Sequence, residues 1–257
     1  MRKTDEEQSG RKIRSVGIAF NIIDILQESG PTSLTELANE LNHSKSTIHN
    51  HLRTLEDRQM VVRGDSGYRL SLRILEIATC VREQVGNYDV IRDEVNTLAE
   101  ETGEIAQFGI EEHGKVSYLH KRRGDRAVET ASRVGTQQPI HSTALGKTIL
   151  AYLPSERTSE IVANVEFEEI TPKTITSRAE LYEDLETIRD QGYGIDDEEN
   201  IEGLRCVAAP VKNEETVLGA VSLSGPSRRF TVEKIHNDLS EQVQRAANVI
   251  ELNTKFA

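Results

Sequence analysis

Residues 33–70 read SLTELANELNHSKSTIHNHLRTLEDRQMVVRGDSGYRL, and the punctuation of this stretch decides the first half of the fold. Ser33 with Glu36 three residues later makes a capping box ahead of Leu34, Leu37, Ala38 and Leu41, which defines the start of a short helix. Asn42-His43 ends it. A second helix begins at Ser44, with Ile48, Leu52 and Leu55 as its apolar stripe and Lys45, Ser46, Thr47, His49, Asn50 and Arg53 facing outward. Val61-Val62-Arg63, the turn Gly64-Asp65-Ser66-Gly67 and Tyr68-Arg69-Leu70 then read as a hairpin. Upstream, Ile13, Val16, Phe20, Ile23 and Leu26 recur at helical spacing, predicting a helix over 13–28 that Gly30-Pro31 terminates. Three helices followed by a hairpin make a winged helix-turn-helix.

This order of elements has a chemical use. The second helix of a helix-turn-helix can lie in the major groove with its N-terminal side chains on base edges while the first crosses the backbone. Ser44, Ser46 and Thr47 offer hydroxyls to phosphates at a helix N-terminus, where Lys45 adds positive charge. His49, Asn50 and Arg53 are the candidates for base contacts, since Asn suits adenine and Arg suits guanine. Arg63 and Arg69 on the wing would reach adjacent phosphates or the minor groove. A solvated helix in an ordinary bundle also carries Lys, Ser and Asn outside, but cap, turn, helix and wing in this order favour DNA. His43, His49 and His51 hold no metal spacing, because residues two apart on a helix point to different faces.

Beyond the wing, Leu72, Leu75, Ile77, Ala78 and Val81 predict a connecting helix over 71–85, broken by Gly86-Asn87. A further helix is expected over 90–101. Short β-rich runs follow at 105–110, 116–120 and 128–134, with a His113-Gly114 turn between the first two. Helices are expected over 143–152, 155–165 and 178–191, the last capped by Ser177, then strands at 206–211 and 217–224 and a final amphipathic helix over 232–252. Strands and helices in mixed order indicate an α+β class rather than strict βαβ alternation. The boundaries read from this are 1–70 for the winged helix, 71–87 for the linker helix and 88–257 for a second domain.

The charge is divided unevenly between these parts. Residues 1–70 balance ten Lys/Arg against ten Asp/Glu, so the whole net charge of −12 lies after residue 70. Only the N-terminal part suits a polyanion. The acidic surplus, the predominance of Arg over Lys and the absence of Trp fit a salt-rich cytoplasm. Two cysteines, Cys80 and Cys206, lie far apart with no metal-ligand spacing, so neither a disulfide framework nor a zinc site is expected. No run reaches the roughly 18 apolar residues of a membrane span, and the start MRKTDEEQSGRK lacks a signal-peptide core, so a cytoplasmic protein without membrane contact is expected.

Several stretches together resemble one family. The run 33–38, Ser44-Lys45-Ser46-Thr47-Ile48-His49 and Gly67-Tyr68-Arg69-Leu70 are similar to the N-terminal half of IclR regulators. Pro139-Ile140-His141-Ser142-Thr143-Ala144-Leu145-Gly146-Lys147, Thr174-Ile175-Thr176, Gly192-Tyr193 with Asp196-Asp197-Glu198-Glu199, Gly203-Leu204-Arg205-Cys206 and Ser222-Leu223-Ser224-Gly225-Pro226 resemble the effector domain of that family. The wording His49-Asn50-His51-Leu52 and the acidic surface resemble members from halophilic archaea. Lys212 departs from the pattern, since many members carry an aromatic residue or histidine there.

The resemblance implies a GAF-like effector-binding domain, a small-molecule effector and homodimers built largely through the winged-helix and linker helices, often paired into dimers of dimers; two-fold symmetry then gives a palindromic double-stranded operator, and no cofactor is expected. It also implies that Thr143, Ala144, Leu145, Asp196, Cys206, Ser222 and Ser224 line the effector pocket. Read from the residues alone, Ser142 or Thr143 caps a helix whose first amides favour a carboxylate, with small residues letting a ligand approach. Asp196 and the serines would take hydroxyls and Leu145 would set pocket size. Each also has a plain structural use: Thr143 as a cap, Cys206 as a small core residue, Ser222 and Ser224 as alternating strand positions.

Two enzyme readings compete. His141 to Thr148 imitates the end of a phosphate-binding loop, but His141 stands where the loop needs Gly. His141, Ser142, Ser224 and Asp196 suggest a hydrolase, yet no GxSxG elbow is present.

Overall fold

The computed structural model describes residues 12–213 and 216–254, and the chain divides into two units, one running through Gln84 and the other starting at Val85. The first comprises α1 (Arg14–Ser29), α2 (Leu34–Glu40), α3 (Lys45–Asp57), β1 (Val61–Gly64), β2 (Gly67–Leu70) and α4 (Arg73–Gln84). The capping box forms as the spacing requires: Ser33 Oγ accepts the Glu36 amide at 3.3 Å and Glu36 accepts the Ser33 amide at 2.8 Å. Asn42 turns into the left-handed region at φ 52°, and Ser44 caps α3 by accepting the Thr47 amide. Ile22, Leu37, Ile48, Leu52, Val61 and Tyr68 close the core beneath the turn. The wing is tied down where Thr32 and Tyr68 exchange backbone hydrogen bonds of 2.9 and 2.8 Å.

Helix α1 corrects one expectation about its apolar residues. Of the five that define its spacing, Ile13, Val16 and Phe20 are 68 %, 48 % and 60 % exposed, whereas Ile18, Ile22, Ile25 and Leu26 are buried. Two apolar faces overlap on one helix, and periodicity alone cannot say which of them meets the core. Helix α4 buries nothing, and Leu72, Leu75, Ile77 and Val81 beside or along it are exposed.

The second unit holds α5 (Tyr88–Thr102), β3 (Ile105–Glu112), β4 (Lys115–Arg123), β5 (Gln137–Pro139), α6 (Ala144–Tyr152), α7 (Ser155–Asn164), α8 (Arg178–Gln191), β6 (Gly194–Asp197), β7 (Leu204–Lys212) and β8 (Val217–Pro226). It ends in α9 (Val232–Lys234), a π-helical turn (Ile235–Leu239) and α10 (Ser240–Thr254). The six strands form one antiparallel sheet in the order β5-β4-β3-β8-β7-β6. Helices cover both faces, giving the α+β arrangement the sequence indicates. Side chains alternate across a strand, and here both faces are used. Phe108, Val207, Ala209, Val221 and Leu223 pack with α5 and α10, while Ala208 and Ala220 pack with α6 and α8.

Two strand assignments change. Residues 128–134 form no strand: Val128 and Val134 are exposed, and the backbone of β4 at Tyr118 bonds instead to Gly135 and Thr136 just ahead of β5. Strand β6 is one the periodicity does not announce, because four residues ending in two aspartates carry little β signal.

Gly67 is where the wing depends on having no side chain. Its φ is 120°, and a Cβ there would stand 2.4 Å from the Thr32 carbonyl oxygen. Gly67→Ala is expected to cost roughly 1–3 kcal/mol and to lower the thermal midpoint of the N-terminal unit. An unchanged melting curve contradicts the close approach.

Candidate effector cavity and nucleic-acid interface

In the first unit the candidate DNA-reading side chains sit on one helix. Ser44, Lys45, Ser46, His49, Asn50 and Arg53 are exposed and Thr47 is half-buried. The Ser44 hydroxyl lies 2.8 Å from both Ser46 Oγ and Thr47 Oγ1, so the three hydroxyls form a linked group at the N-terminus of α3. The wing arginines are not brought together. Arg63 registers with Tyr68 and lies over its ring at 5.9 Å, whereas Arg69 registers with Val62, which places the two guanidinium groups on opposite faces of the hairpin.

In the second unit a cavity of about 360 Å³ opens between the start of α6 and the sheet. All seven residues implied for the effector site line it: Thr143, Ala144, Leu145, Asp196, Cys206, Ser222 and Ser224. Strand register explains why residues so far apart in sequence meet. Asp196 pairs with Cys206 and Cys206 with Ser224, so β6, β7 and β8 each contribute one member of a single row across the sheet. Ser222 belongs to the next row on the same face, opposite Gln107 of β3. Gln107, Tyr118, Asn200 and Glu168 complete much of the polar wall, and sequence reasoning missed them. Register would have found Gln107, since it must share a face with Ser222. The segment Thr130–Ser132 forms another wall, pinned by the Lys121 ammonium, which donates to Thr130 Oγ1 at 2.7 Å and to the Ser132 carbonyl at 2.6 Å.

Thr143, rather than Ser142, caps α6: its hydroxyl accepts the Gly146 amide at 3.1 Å. Ser142 turns to Asn200 Oδ1 at 3.3 Å. The Lys147 amide bonds to the Thr143 carbonyl, so the amides of Ala144 and Leu145 are those at this helix start without an intrahelical acceptor. Gly146 does not face a ligand, since a Cβ there would lie 2.2 Å from the Ile140 carbonyl oxygen. Its smallness serves packing.

Lys147 sets the electrostatics behind this wall. The side chain is 1 % exposed, and its ammonium lies 2.6 Å from Glu199 Oε1 and 3.0 Å from Asp184 Oδ2. Burial works against its charge, but Glu199 and Asp184 outweigh that and raise its pKa. Asp196, beside the cluster, is pushed up to about 7, first by burial and then by the charge of Glu199, against Lys147 and the amides of Glu199 and Asn200 at 2.7 and 3.4 Å. Burial also pushes up the Tyr118 phenol and the Cys206 thiol.

Neither enzyme reading finds its parts assembled here. A phosphate-binding loop needs its lysine free to reach phosphates, and Lys147 is locked to two carboxylates inside the protein. In the hydrolase reading, His141 lines a neighbouring groove with Nε2 3.3 Å from the Glu168 carbonyl, and the Ser142 hydroxyl bonds to Asn200 Oδ1 at 3.3 Å, so neither is paired with the other or with Ser224. Among the described residues no cluster suits a metal ion and no helix is long and apolar enough to cross a membrane.

Comparison with known proteins places both units. Residues 15–65 match the IclR helix-turn-helix domain, and residues 85–252 match the C-terminal domain described as bacterial transcriptional regulator IclR. The chain belongs to the IclR family of transcriptional regulators. One IclR relative, the probable transcriptional regulator ArcR of Halobacterium salinarum, is 34 % identical over 252 residues covering 96 % of each chain. The regulator KdgR of Escherichia coli is 33 % identical over 91 % of this chain and 90 % of its own. The crystal structure of Thermotoga maritima IclR superposes with a TM-score of 0.81 at 30 % identity, covering 95 % of this chain and 99 % of that one.

Lys147→Met tests the buried cluster. Removing the ammonium leaves Glu199 and Asp184 without their counter-charge, which is expected to cost roughly 3–5 kcal/mol at neutral pH. The loss should shrink at pH 5, where carboxylates are more easily protonated. A melting temperature equal to that of the parent protein at pH 7.5 contradicts this account.

Proposed function

We propose that this IclR-family regulator binds a palindromic DNA operator sequence-specifically and that a small effector, carrying a carboxylate or derived from a sugar, changes that affinity from the cavity at α6. The observation that carries the reading is a cavity lined by all seven residues that the resemblance implies, in a chain whose other unit presents a capped, outward-facing α3. Ser44, Lys45, Ser46 and Thr47 hold phosphates at the positive end of α3, while His49, Asn50 and Arg53 reach base edges. The opposite-facing Arg63 and Arg69 serve different phosphates. Thr143, Ala144 and Leu145 receive the effector's anionic group, and Asp196, Cys206, Ser222 and Ser224 form the floor beneath it. No catalytic step is part of this reading, and the protein acts in the cytoplasm, where the DNA is.

A second copy of the chain has a place in this scheme. Ile13, Val16 and Phe20 on or beside α1, with Leu72, Leu75, Ile77 and Val81 on or beside α4, leave apolar surface in water within the first unit. Burying such surface yields about 25 cal/mol per Å², so a homodimer through these faces is favoured, and its two-fold axis gives the operator its palindrome. Gly86 and Asn87, both in the left-handed region, lie on the covalent route between α4 and α5.

Titration of fragments from upstream of the protein's own gene across a KCl series tests the DNA reading. Lys45→Ala should weaken binding to all sequences and reduce the salt slope by about one. Asn50→Ala should cost about 1–3 kcal/mol on the preferred site and relax preference at one base position. Footprinting should reveal two symmetry-related half-sites. Failure to bind any fragment at any ionic strength contradicts the proposal.

A further inference from the structure

The side chains lining the cavity are charged on one side only. Glu168 and Asp196 are acids, and no Lys, Arg or His is among them. A carboxylate drawn to the Ala144 and Leu145 amides therefore enters a space whose lining side chains include carboxyl groups and no cation, the Lys121 ammonium standing behind Thr130 and Ser132. Two ammonium groups stand behind the lining: Lys147, whose charge is spent on Glu199 and Asp184, and Lys121, which is held by Thr130 and Ser132 on the opposite wall.

Asp196 is the group where this conflict is resolved. It is 2 % exposed, and its Oδ1 accepts the amides of Glu199 and Asn200. The Cys206 thiol also hydrogen-bonds to the Asp196 carboxyl group on the wall the two share. The charged and titratable groups around it are Lys147 on α6, Glu199 in the loop after β6, Cys206 on β7 and Tyr118 on β4, with Glu168 elsewhere in the lining. Cys206 and Tyr118 are kept protonated and neutral by burial, so neither adds charge of either sign. Two carboxylates confined at such a site cannot both stay ionised cheaply, and sharing one proton removes the repulsion while adding a strong hydrogen bond.

We propose that Asp196 enters the complex as a carboxylic acid and donates its O–H to the carboxylate of a hydroxylated monocarboxylate effector, so that the cavity admits one negative charge, discriminates against dicarboxylates and takes up a proton when it fills above neutral pH. The proton comes from solvent and stays on Asp196, and no covalent bond to the effector forms. Ser222, Ser224, Gln107 and Thr130 are neutral hydrogen-bonding groups in the same lining and match hydroxyls along the effector chain. The raised pKa of Asp196 in the empty protein agrees with this, because the acid form is then already populated near neutrality. The inference rests on the cavity being the effector site.

Calorimetric titration of the full chain with two matched sets tests it: D-gluconate, D-glucarate and D-glucitol, and D-glycerate, tartronate and glycerol. Within at least one set the monocarboxylate should bind about tenfold or more tighter than its dicarboxylate and its polyol, a difference of about 1.4 kcal/mol. Its affinity should be level below pH 6 and fall toward about tenfold per pH unit above pH 7, as one linked proton requires. At pH 8, titration in buffers of different ionisation enthalpy should show uptake of nearly one proton. Asp196→Asn keeps the Oδ1 acceptor and presents a permanent N–H donor, so it should bind within about threefold of the parent at pH 6 and lose the pH dependence. If that variant does not fold, the proton uptake of the parent protein decides alone. Tightest binding by a dicarboxylate or polyol, binding by none of the six, affinity that rises with pH, or no proton uptake overturns the inference. Because no DNA is present, proton-linked monocarboxylate binding that leaves operator affinity unchanged would sink the regulatory reading only.

Discussion

A lysine ammonium with almost no solvent exposure, held between Glu199 and Asp184, is the constraint on which the effector unit depends. Lys147 is in the second turn of α6, Asp184 is on α8 and Glu199 is in the loop after β6, so one charge fixes three segments that the apolar core could otherwise let slide. Breaking such a pair is costly because it leaves an uncompensated charge inside the protein, whereas its net contribution when intact is modest. Its value here is geometric. It holds the start of α6 at a set distance from β6, and the cavity occupies that gap.

The same cluster stands directly behind the cavity wall. Asp196 lies next to Glu199 in space and shares its surroundings, yet it faces the cavity wall. Its neighbours in the sheet row, Cys206 and Ser224, are uncharged. The floor thus presents hydrogen-bonding groups without a fixed positive charge, and in the proposed reading an anion would be met by the amides at the helix start and by the proton on Asp196.

Much of this was legible in the sequence where a local rule has one solution. Ser33 with Glu36, Ser44 before its apolar stripe and the glycine-rich turn of the wing each specify a cap or a turn, and the structure contains them. Motif resemblance supplied the seven cavity residues, and register shows why they converge. What was illegible depended on tertiary context. Ile13, Val16 and Phe20 fit a helical stripe as well as the buried set does, and only packing separates the two faces. Residues 128–134 carry β-branched side chains but find no free strand edge, because β4 bonds to the segment after them. Gly146 and Lys147 look like ligand groups in one dimension, and in three they are a packing contact and an internal ion pair.

The central claim is that one chain couples an occupied cavity to the grip of α3 on DNA, and thermodynamic linkage gives it a direct measurement. The effector's dissociation constant is determined by calorimetry with the full chain alone and again with saturating operator DNA. The account predicts two different constants, whose ratio equals the factor by which the effector changes operator affinity. Equal constants, measured with DNA and effector both bound, would contradict it.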